Sequence, residues 1–152
     1  MATAYINLGS NIGDRRPTIG RAVALIERAF GAAAQRSDWF ESEPWGFDSP
    51  NQFVNLGVAI ETGDMAPVEI LRTLRAIERR IDPSPHRDAS GAYIDRVIDI
   101  DLIAVDDIVT DTPELTLPHP RMTQRDFVII PMLQLAPDWV HPLLGPLKNF
   151  RK

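Results

Sequence analysis

The sequence contains no cysteine and no long apolar run, and these absences exclude several classes of protein. Without cysteine, a disulfide scaffold, a thiolate nucleophile and a thiolate metal site are all excluded. No segment approaches the roughly 18–20 apolar residues that a membrane-crossing helix needs. The first residues have neither a basic region nor an apolar stretch, so we expect no signal peptide. These observations predict a cytoplasmic protein with no membrane partner.

The chain has fewer basic than acidic residues, and its formal net charge is −5. An acidic balance argues against a broad nucleic-acid-binding surface, so we expect no nucleic-acid partner. The chain also lacks the Gly-x-x-x-x-Gly-Lys-Ser/Thr motif with which P-loop proteins bind phosphates. Any phosphate-binding site must therefore use other groups, such as clustered arginines or metal ions.

The composition that is present is typical of one globular domain. The chain has 152 residues, of which 44% are hydrophobic and 24% are charged. At this length folding buries roughly 70% of the surface of the unfolded chain, which is sufficient for a core without further stabilisation. No repeat or composition break divides the sequence, so we predict a single domain over residues 1–152 and a monomer.

Hydrophobic periodicity predicts an α+β fold. Apolar residues at helical spacing predict helices over residues 16–30, 67–81 and 127–136. Alternating apolar residues predict four strands, over residues 4–8, 36–41, 53–61 and 97–105, and a small hairpin is expected over residues 108–117. The core order of strand, helix, strand, strand, helix and strand is typical of a ferredoxin-like split βαβ fold. We therefore expect an antiparallel sheet with helices on one face and an open active-site face.

Side-chain alternation assigns the residues of the strand 97–105 to the two faces of this sheet. The face toward the helices consists of Ile98, Ile100, Leu102 and Ala104. Asp99 and Asp101 lie on the opposite face, roughly 7 Å apart, although Asp is depleted in strands. Two such carboxylates repel unless something positive lies between them, and Mg²⁺ prefers oxygen ligands of this kind. The alternative is a solvated pair that nearby arginines neutralise.

Cationic and aromatic side chains accompany the acidic pair. Arg87 and Arg96 precede it, and His119 and Arg125 follow it; guanidinium groups bind phosphate oxygens through paired hydrogen bonds. Aromatic residues of a Pro/Gly loop, together with Asn55 on the carboxylate face, are typical of a slot for a flat heterocycle. The alternatives are ordinary surface arginines, a histidine that stabilises a turn, and aromatic residues that only cover the sheet.

Several short motifs along nearly the whole chain carry a resemblance to a known family. They are Asn7-Leu8-Gly9-Ser10-Asn11, Pro44-x-Gly46, Phe53-x-Asn55, Glu78, Arg96-x-x-Asp99-Ile100-Asp101-Leu102, and Pro118-His119-Pro120-Arg121-Met122 with Arg125 and Phe127. In this order and spacing they resemble the 6-hydroxymethyl-7,8-dihydropterin pyrophosphokinase family. The resemblance implies transfer of a diphosphate from ATP, the co-substrate, to the hydroxymethyl group of the pterin. It also implies two Mg²⁺ ions, release of AMP and a place in folate biosynthesis.

The resemblance further implies roles for individual residues. Asp99 and Asp101 bind the metal ions, and Arg87 and Arg96 act with them in catalysis. The pterin slot is implied for Ser42, Pro44, Trp45, Phe53, Asn55, Tyr93 and Phe127. The ATP site is implied for Glu78, Arg87, Arg96, Leu102, Thr116, His119 and Arg125.

The chain departs from the family pattern in the loop over residues 82–95 and near its histidine motif. His86-Arg87 stands where the family usually has Gly-Arg, Tyr93 replaces a tryptophan, and Glu114 replaces a nucleotide-contacting arginine. We expect the loop to close over the substrates. Two other functions remain open at this point. One is a ferredoxin-like module that binds RNA or nucleotides on the open face, and the other is a metal-dependent phosphohydrolase that uses the same acid pair.

Overall fold

A computed structural model describes residues 2–45, 47–84, 88–92 and 94–151. The helices are α1 (Arg15–Phe30), α2 (Pro67–Ile81) and α3 (Asp126–Leu135). The main sheet contains β1 (Thr3–Ser10), β2 (Gln35–Arg36), β3 (Phe40–Ser42), β4 (Phe53–Glu61) and β5 (Asp99–Val105). Two small hairpins pair β6 (Thr110–Asp111) with β7 (Thr116–Leu117) and β8 (Val140–His141) with β9 (Gly145–Pro146).

The strand order of the main sheet is β2-β4-β1-β5, with β3 also paired to β4, and every pairing is antiparallel. This order confirms the predicted ferredoxin-like split βαβ fold. The strand predicted over residues 36–41 is instead broken into β2 and β3. The break follows from Ser37, whose Oγ accepts a hydrogen bond from Gly57 N at 2.8 Å. None of the helices in the described ranges is long and apolar enough to cross a bilayer.

The main core lies between the sheet and the helix pair α1 and α2. The buried stripe of α2 consists of Ile70, Leu71, Leu74, Ile77 and Glu78. Its aliphatic members contribute to a cluster that includes Ile6 and Leu8 of β1, both at most 2% exposed. Glu78 is the exception in this stripe, because a buried carboxyl needs hydrogen-bond partners to offset its lost hydration. Those partners are Ile100 N of β5 and the guanidinium of Arg75.

A bulge in β5 changes the face assignment that alternation predicts. The pairing with β1 passes from Ile6 opposite Leu102 to Tyr5 opposite Ala104, so Ile103 is the extra residue. Before the bulge, Leu102 packs in the α1/α2 core, as predicted. After it, Ala104 packs in a second cluster on the other face. The prediction that Ala104 faces the two helices is therefore wrong, because one inserted residue reverses the alternation.

Helix α3 covers half of the face that the sequence analysis expected to be open. The helix is almost entirely apolar and needs a surface to pack on. It forms a second cluster that contains Ile103, Ala104, Met122, Val128, Ile129, Met132 and Leu147. Gly57 of β4 permits this close approach, because a Cβ there would lie 2.9 Å from Cβ of Pro131 in α3. The uncovered half of the face is the half that carries Asp99 and Asp101.

Candidate active site

The uncovered half of the sheet face forms the floor of a cavity of about 370 Å³. The strand register brings its polar floor residues together. Gly9 of β1 lies between Asn55 of β4 and Asp99 of β5, and Asn7 lies beside Asp101. All five of these residues line the cavity. The two carboxylates and the Asn55 amide therefore share one face, as alternation predicts.

Each of the two carboxylates has an arginine beside it. Arg96 forms an ion pair with Asp99, and Nη1 of Arg125 lies 3.9 Å from Oδ2 of Asp101. All four side chains are largely buried, with exposed fractions between 10% and 22%. The adjacent positive charges explain how two like charges are tolerated on one strand face. A ligand with phosphate groups would compete with the carboxylates for the same guanidinium groups.

Arg125 has an unsatisfied polar atom within this cavity. Within the described ranges, its Nε is buried without a hydrogen-bond partner. Its guanidinium carbon lies 4.4 Å from the ring centre of Trp45 and 5.6 Å from that of Phe127. A buried N–H that lacks an acceptor is unfavourable by roughly 1–3 kcal/mol. The Nε–H of Arg125 is therefore an unsatisfied donor behind the cavity surface, beside the two rings.

Aromatic side chains form one wall of the cavity. The rings of Phe47 and Phe53 meet edge to face, with their centres 6.4 Å apart. Trp45 and Phe127 also line the cavity. Such a set of rings provides stacking surface for a planar ligand.

The Asn55 side chain is held in one orientation at the edge of this wall. Its Nδ2 donates to the carbonyl oxygen of Phe40 at 3.1 Å and to Oγ of Ser42 at 2.8 Å. Both amide protons are thereby engaged, so Oδ1 is the atom that remains to accept hydrogen bonds. A Cβ added at Gly9 would lie 3.2 Å from this oxygen. Glycine at this position therefore keeps space in front of the acceptor.

His119 enters the cavity from the turn that follows β7, after a cis Leu117–Pro118 peptide bond. Its backbone N donates to the carbonyl oxygen of Ile103 at 2.7 Å, which fixes the turn against β5. Burial, reinforced by the positive charge of Arg125, lowers the pKa of His119 to about 4. The neutral ring accepts a hydrogen bond from Arg121 N at Nδ1, so Nε2 carries the proton. His119 is thus a neutral hydrogen-bond donor near pH 7.

Glu78 lies behind β5, on the helix side of the sheet. Its Oε2 accepts a hydrogen bond from Ile100 N, between the two aspartates, at 2.7 Å. Burial and the negative charge of Asp99 raise the pKa of Glu78 to about 7. Nη1 of Arg75, one turn earlier on α2, lies 3.4 Å from Oε1. The negative potential of the acid pair thus extends through the sheet to a buried carboxyl on α2.

The structure brings most of the residues predicted for the site to this cavity. Those that line it are Ser42, Trp45, Phe53, Asn55, Arg96, Asp99, Asp101, His119, Arg125 and Phe127. Pro44 and Thr116 lie outside the lining, and Leu102 is a core residue that is 5% exposed. A role for Leu102 in ATP binding would therefore have to use its backbone. Arg87 and Tyr93 lie outside the described residues.

Sequence reasoning missed Arg75 as a cavity residue, although it lines the cavity from α2. The available signal was its i,i+3 spacing from Glu78, which places both side chains on neighbouring positions of one helix. Glu114, which replaces an arginine of the family pattern, does not line the cavity. It forms two 2.8 Å hydrogen bonds with the exposed guanidinium of Arg72 instead.

The described residues contain no group of three or more His, Asp or Glu side chains placed to hold a metal ion. Asp99 and Asp101 are the two carboxylates on the floor of the cavity, and the exposed Glu43 is a third carboxylate in its lining. Two carboxylates suit Mg²⁺, which keeps several waters and shares its coordination with substrate phosphates. They suit zinc less well, because protein zinc sites usually have three or four ligands that include nitrogen or sulfur.

Comparison with known proteins identifies relatives of the whole chain. The family model described as 7,8-dihydro-6-hydroxymethylpterin-pyrophosphokinase (HPPK) matches residues 5–137. The chain is 41% identical over 143 residues to the 2-amino-4-hydroxy-6-hydroxymethyldihydropteridine pyrophosphokinase of Porphyromonas gingivalis, covering 93% of this chain and 95% of that protein. It is 35% identical over 152 residues to the protein of the same name from Aquifex aeolicus, covering 99% and 91%.

Solved structures support the fold. A crystal structure of wild-type Plasmodium falciparum HPPK-DHPS superposes with a TM-score of 0.69 at 14% sequence identity. The superposition covers 98% of this chain and 43% of the Plasmodium chain. The present chain thus spans less than half of that protein, and the likeness concerns the fold.

Proposed function

We propose a Mg²⁺-dependent mechanism for this chain, which belongs to the 7,8-dihydro-6-hydroxymethylpterin-pyrophosphokinase family. The reaction transfers a diphosphate from ATP to the hydroxymethyl group of 6-hydroxymethyl-7,8-dihydropterin and releases AMP, a step of folate biosynthesis. The observation that carries the mechanism is the meeting of the Asp99/Asp101 pair, four arginines and an aromatic wall in one cavity. The four arginines are Arg75, Arg96, Arg121 and Arg125.

The pterin is assigned to the aromatic end of the cavity. Its flat ring stacks between side chains of this wall, with Phe53 and Trp45 as the main contacts. Oδ1 of Asn55, whose amide protons are already engaged, accepts hydrogen bonds from the ring edge. Burial of a donor-bearing ring against a fixed acceptor discriminates strongly against rings that lack those donors.

Asp99 and Asp101 would hold Mg²⁺, and the resemblance implies two ions. Bound there, Mg²⁺ would neutralise the triphosphate and polarise the phosphorus that is attacked. The fit rests on the nature of the donors, two partly exposed carboxylates on one face next to a cavity. Arg96 and Arg125 already lie beside these carboxylates, and phosphate oxygens would replace the carboxylates as their partners.

The nucleotide lies along the cationic side of the cavity. Nε2–H of the neutral His119 and the guanidinium groups of Arg121 and Arg125 donate hydrogen bonds to it. The family pattern has a nucleotide-contacting arginine at the position of Glu114. Arg75 supplies that cation in this chain, since it lines the cavity from α2. We retain the prediction that Arg87 acts with Arg96 on the transferred group.

The chemical step is an in-line substitution at the β-phosphorus of ATP. The hydroxymethyl oxygen of the pterin forms the new bond to the β-phosphorus. The bond between that phosphorus and the oxygen that bridges to the α-phosphate breaks, and AMP leaves with this oxygen. The hydroxyl proton passes to solvent. Arg96 stabilises the charge on the transferred group, and the cavity walls keep both reactants in position, without a covalent enzyme intermediate.

The test is a product assay with ATP, Mg²⁺ and 6-hydroxymethyl-7,8-dihydropterin. We expect AMP and the pterin diphosphate in equal amounts, no AMP without the pterin, and no turnover when EDTA removes the metal. Release of AMP or phosphate without the pterin would instead indicate the phosphohydrolase alternative. Full activity in EDTA would contradict the metal assignment.

The alternative function, RNA binding on an open sheet face, is not favoured by the shape and charge of that face. Helix α3 covers half of that face, and the exposed half is a cavity whose floor carries two carboxylates. A single strand of RNA needs a continuous surface on which several bases stack. We therefore expect no saturable RNA binding at low salt.

The organisation of the protein stays a prediction. A single domain over residues 1–152, a monomer and a cytoplasmic location are what we expect from its composition. Light scattering coupled to size exclusion tests the oligomeric state, with a mass near 17.0 kDa expected for a monomer.

A further inference from the structure

Three polar side chains meet beside the cavity without lining it. They are Asn11, which follows β1, Asn51, which precedes β4, and Asp95, which precedes β5; together we call them the Asn-Asn-Asp cluster. Asn11 is only 2% exposed. The cluster joins three segments that are distant in sequence, at the end of the sheet where the cavity opens.

Asp95 is the centre of this cluster. Its Oδ1 accepts a hydrogen bond from Nδ2 of Asn11 at 2.7 Å, and its Oδ2 accepts one from Nδ2 of Asn51 at 2.9 Å. Burial alone would raise the pKa of Asp95, but hydrogen bonds from Ser49, Asn11 and Asn51 hold that pKa below its ordinary value. The carboxylate is therefore a charged acceptor that connects the segment after β1 with the loop before β4.

Asn11 passes this connection on to Arg96. Its Oδ1 accepts a hydrogen bond from Arg96 N at 2.7 Å, and its own backbone N donates to the carbonyl oxygen of Arg96 at 3.0 Å. The backbone of Arg96 is thus held on both sides by one residue. Its side chain, 13% exposed, forms the ion pair with Asp99. Arg96 precedes the first residue of β5, so the sheet pairing does not fix its position.

We propose that Asp95 is a positioning residue that fixes Arg96 in the cavity and couples it to the loop between β3 and β4. Asn51 belongs to the loop between β3 and β4, which also carries Trp45 and Phe47. Through Asp95, the loop that supplies the stacking wall and the residue that supplies the catalytic cation share one hydrogen-bond cluster. Asp95 itself touches neither substrate.

The inference rests on the proposed function and gives a specific expectation for Asp95→Asn. The variant keeps the side-chain shape but turns an amide N–H toward one of the two donors, Asn11 or Asn51. Because a shift of about 1 Å in a catalytic group can slow a reaction about 10²-fold, we expect kcat to fall about 10- to 100-fold. The KM for ATP should change by less than about threefold, since the other nucleotide contacts remain.

A double-mutant cycle tests the route through Arg96. Single-turnover rates are measured for the wild type, Asp95→Asn, Arg96→Ala and the double variant. In the wild-type background, we expect Asp95→Asn to lower the single-turnover rate. In the Arg96→Ala background, the same substitution should change the rate by less than about twofold. Equal losses in both backgrounds, or an Arg96→Ala variant as fast as the wild type, would overturn the proposal. Asn51→Ala, which removes one donor, replaces Asp95→Asn in the same cycle if that variant does not fold.

Asp106→Asn is the matched control. Asp106 is also partly buried and also accepts a hydrogen bond, from Thr3 N at 3.0 Å, but lies beyond the other end of β5. This variant should retain full activity. A wild type that makes no AMP in a pterin-dependent manner would refute the proposed function, whereas an active wild type with an additive cycle refutes only the role of Asp95.

Discussion

The two halves of the sheet face opposite α1 and α2 use the same strands for different purposes. In one half, Gly57 allows α3 to lie directly on the sheet, and the side chains around it are apolar. In the other half, Gly9 keeps space in front of Asn55, and the neighbouring side chains are charged. Both glycines lack a Cβ, one where a helix packs on the sheet and the other on the floor of the cavity.

Asn7 marks the border between these halves. In register it lies between Gly57 of β4 and Asp101 of β5, and its Nδ2 donates to the carbonyl oxygen of Phe127 at 2.8 Å. The first turn of α3 is thereby tied to the sheet at the edge of the cavity. The covered half and the open half are thus adjacent along the strands, with Gly57 and Asn55 only two residues apart on β4.

The largest expected effect belongs to the open half. Asp101→Asn removes one charge without changing the side-chain shape, and we expect kcat to fall at least about 10³-fold because metal binding is lost. The free energy of unfolding should change little, because relief of the repulsion from Asp99 offsets the loss of the ion pair with Arg125. AMP formation and urea unfolding measure the two quantities. Asp107→Asn, on an exposed turn after β5, is the control, and comparable activity in both variants would contradict the assignment.

The next effect concerns Glu78, which lies behind the open half. Its folded-state pKa of about 7 is raised above the ordinary 4.5, so its protonated form favours folding and the stabilisation is lost as pH rises through about 7. In metal-free buffer, Glu78→Gln should therefore gain stability relative to the wild type between about pH 4.5 and 7, by up to about 3 kcal/mol. Urea unfolding of both proteins across this range measures the difference. A pH-independent difference would show that Glu78 does not titrate there.

A smaller effect is expected for the covered half. Gly57→Ala would bring a Cβ to 2.9 Å from Pro131. Overpacking of about 1–3 kcal/mol then outweighs the gain of about 0.5–1 kcal/mol from replacing a strand glycine. We expect a lower free energy of unfolding by about 1–2 kcal/mol in urea titrations, with KM for the pterin changed less than about twofold. A stability equal to that of the wild type would mean that α3 is free to shift.

The smallest effect is expected for the same substitution at Gly9, the glycine of the open half. Gly9→Ala would place a Cβ 3.2 Å from Oδ1 of Asn55 and 3.3 Å from Cδ1 of Phe53. Because both neighbours are side chains, the fold should adjust, but we expect KM for the pterin to rise about tenfold, or 1.4 kcal/mol. Steady-state kinetics and urea unfolding together test this contrast. If Gly9→Ala destabilises the protein more than Gly57→Ala does, the division between the two halves is wrong.

The sequence predicted those features that depend on periodicity within one element. Alternation placed Asp99, Asp101 and Asn55 on one face, and the helix over residues 67–81 has the predicted bounds. The face of Ala104 was predicted wrongly because a bulge inserts one residue into β5, and simple alternation does not include such an insertion. The position of α3 was not predicted either, because an apolar helix of ten residues has no marked polar side to orient it.

Other features depend on contacts between distant segments. Arg75 is unremarkable as a helix residue, and only the fold shows that it lines the cavity. Asp95 lies in a segment that reads as a loop, and its role follows from hydrogen bonds to Asn11 and Asn51, 84 and 44 positions away. Such residues have no local pattern, since their neighbours in space are not their neighbours in sequence.

The central claim is that Asp99 and Asp101 hold divalent metal between the nucleotide and the pterin wall. A crystal structure with Mn²⁺ in place of Mg²⁺, a non-hydrolysable ATP analogue and 6-hydroxymethyl-dihydropterin tests it most directly. We expect anomalous density within coordination distance of both carboxylates, with the pterin ring stacked beside Phe53. Metal bound elsewhere, or a nucleotide bound without contact to either carboxylate, would contradict it.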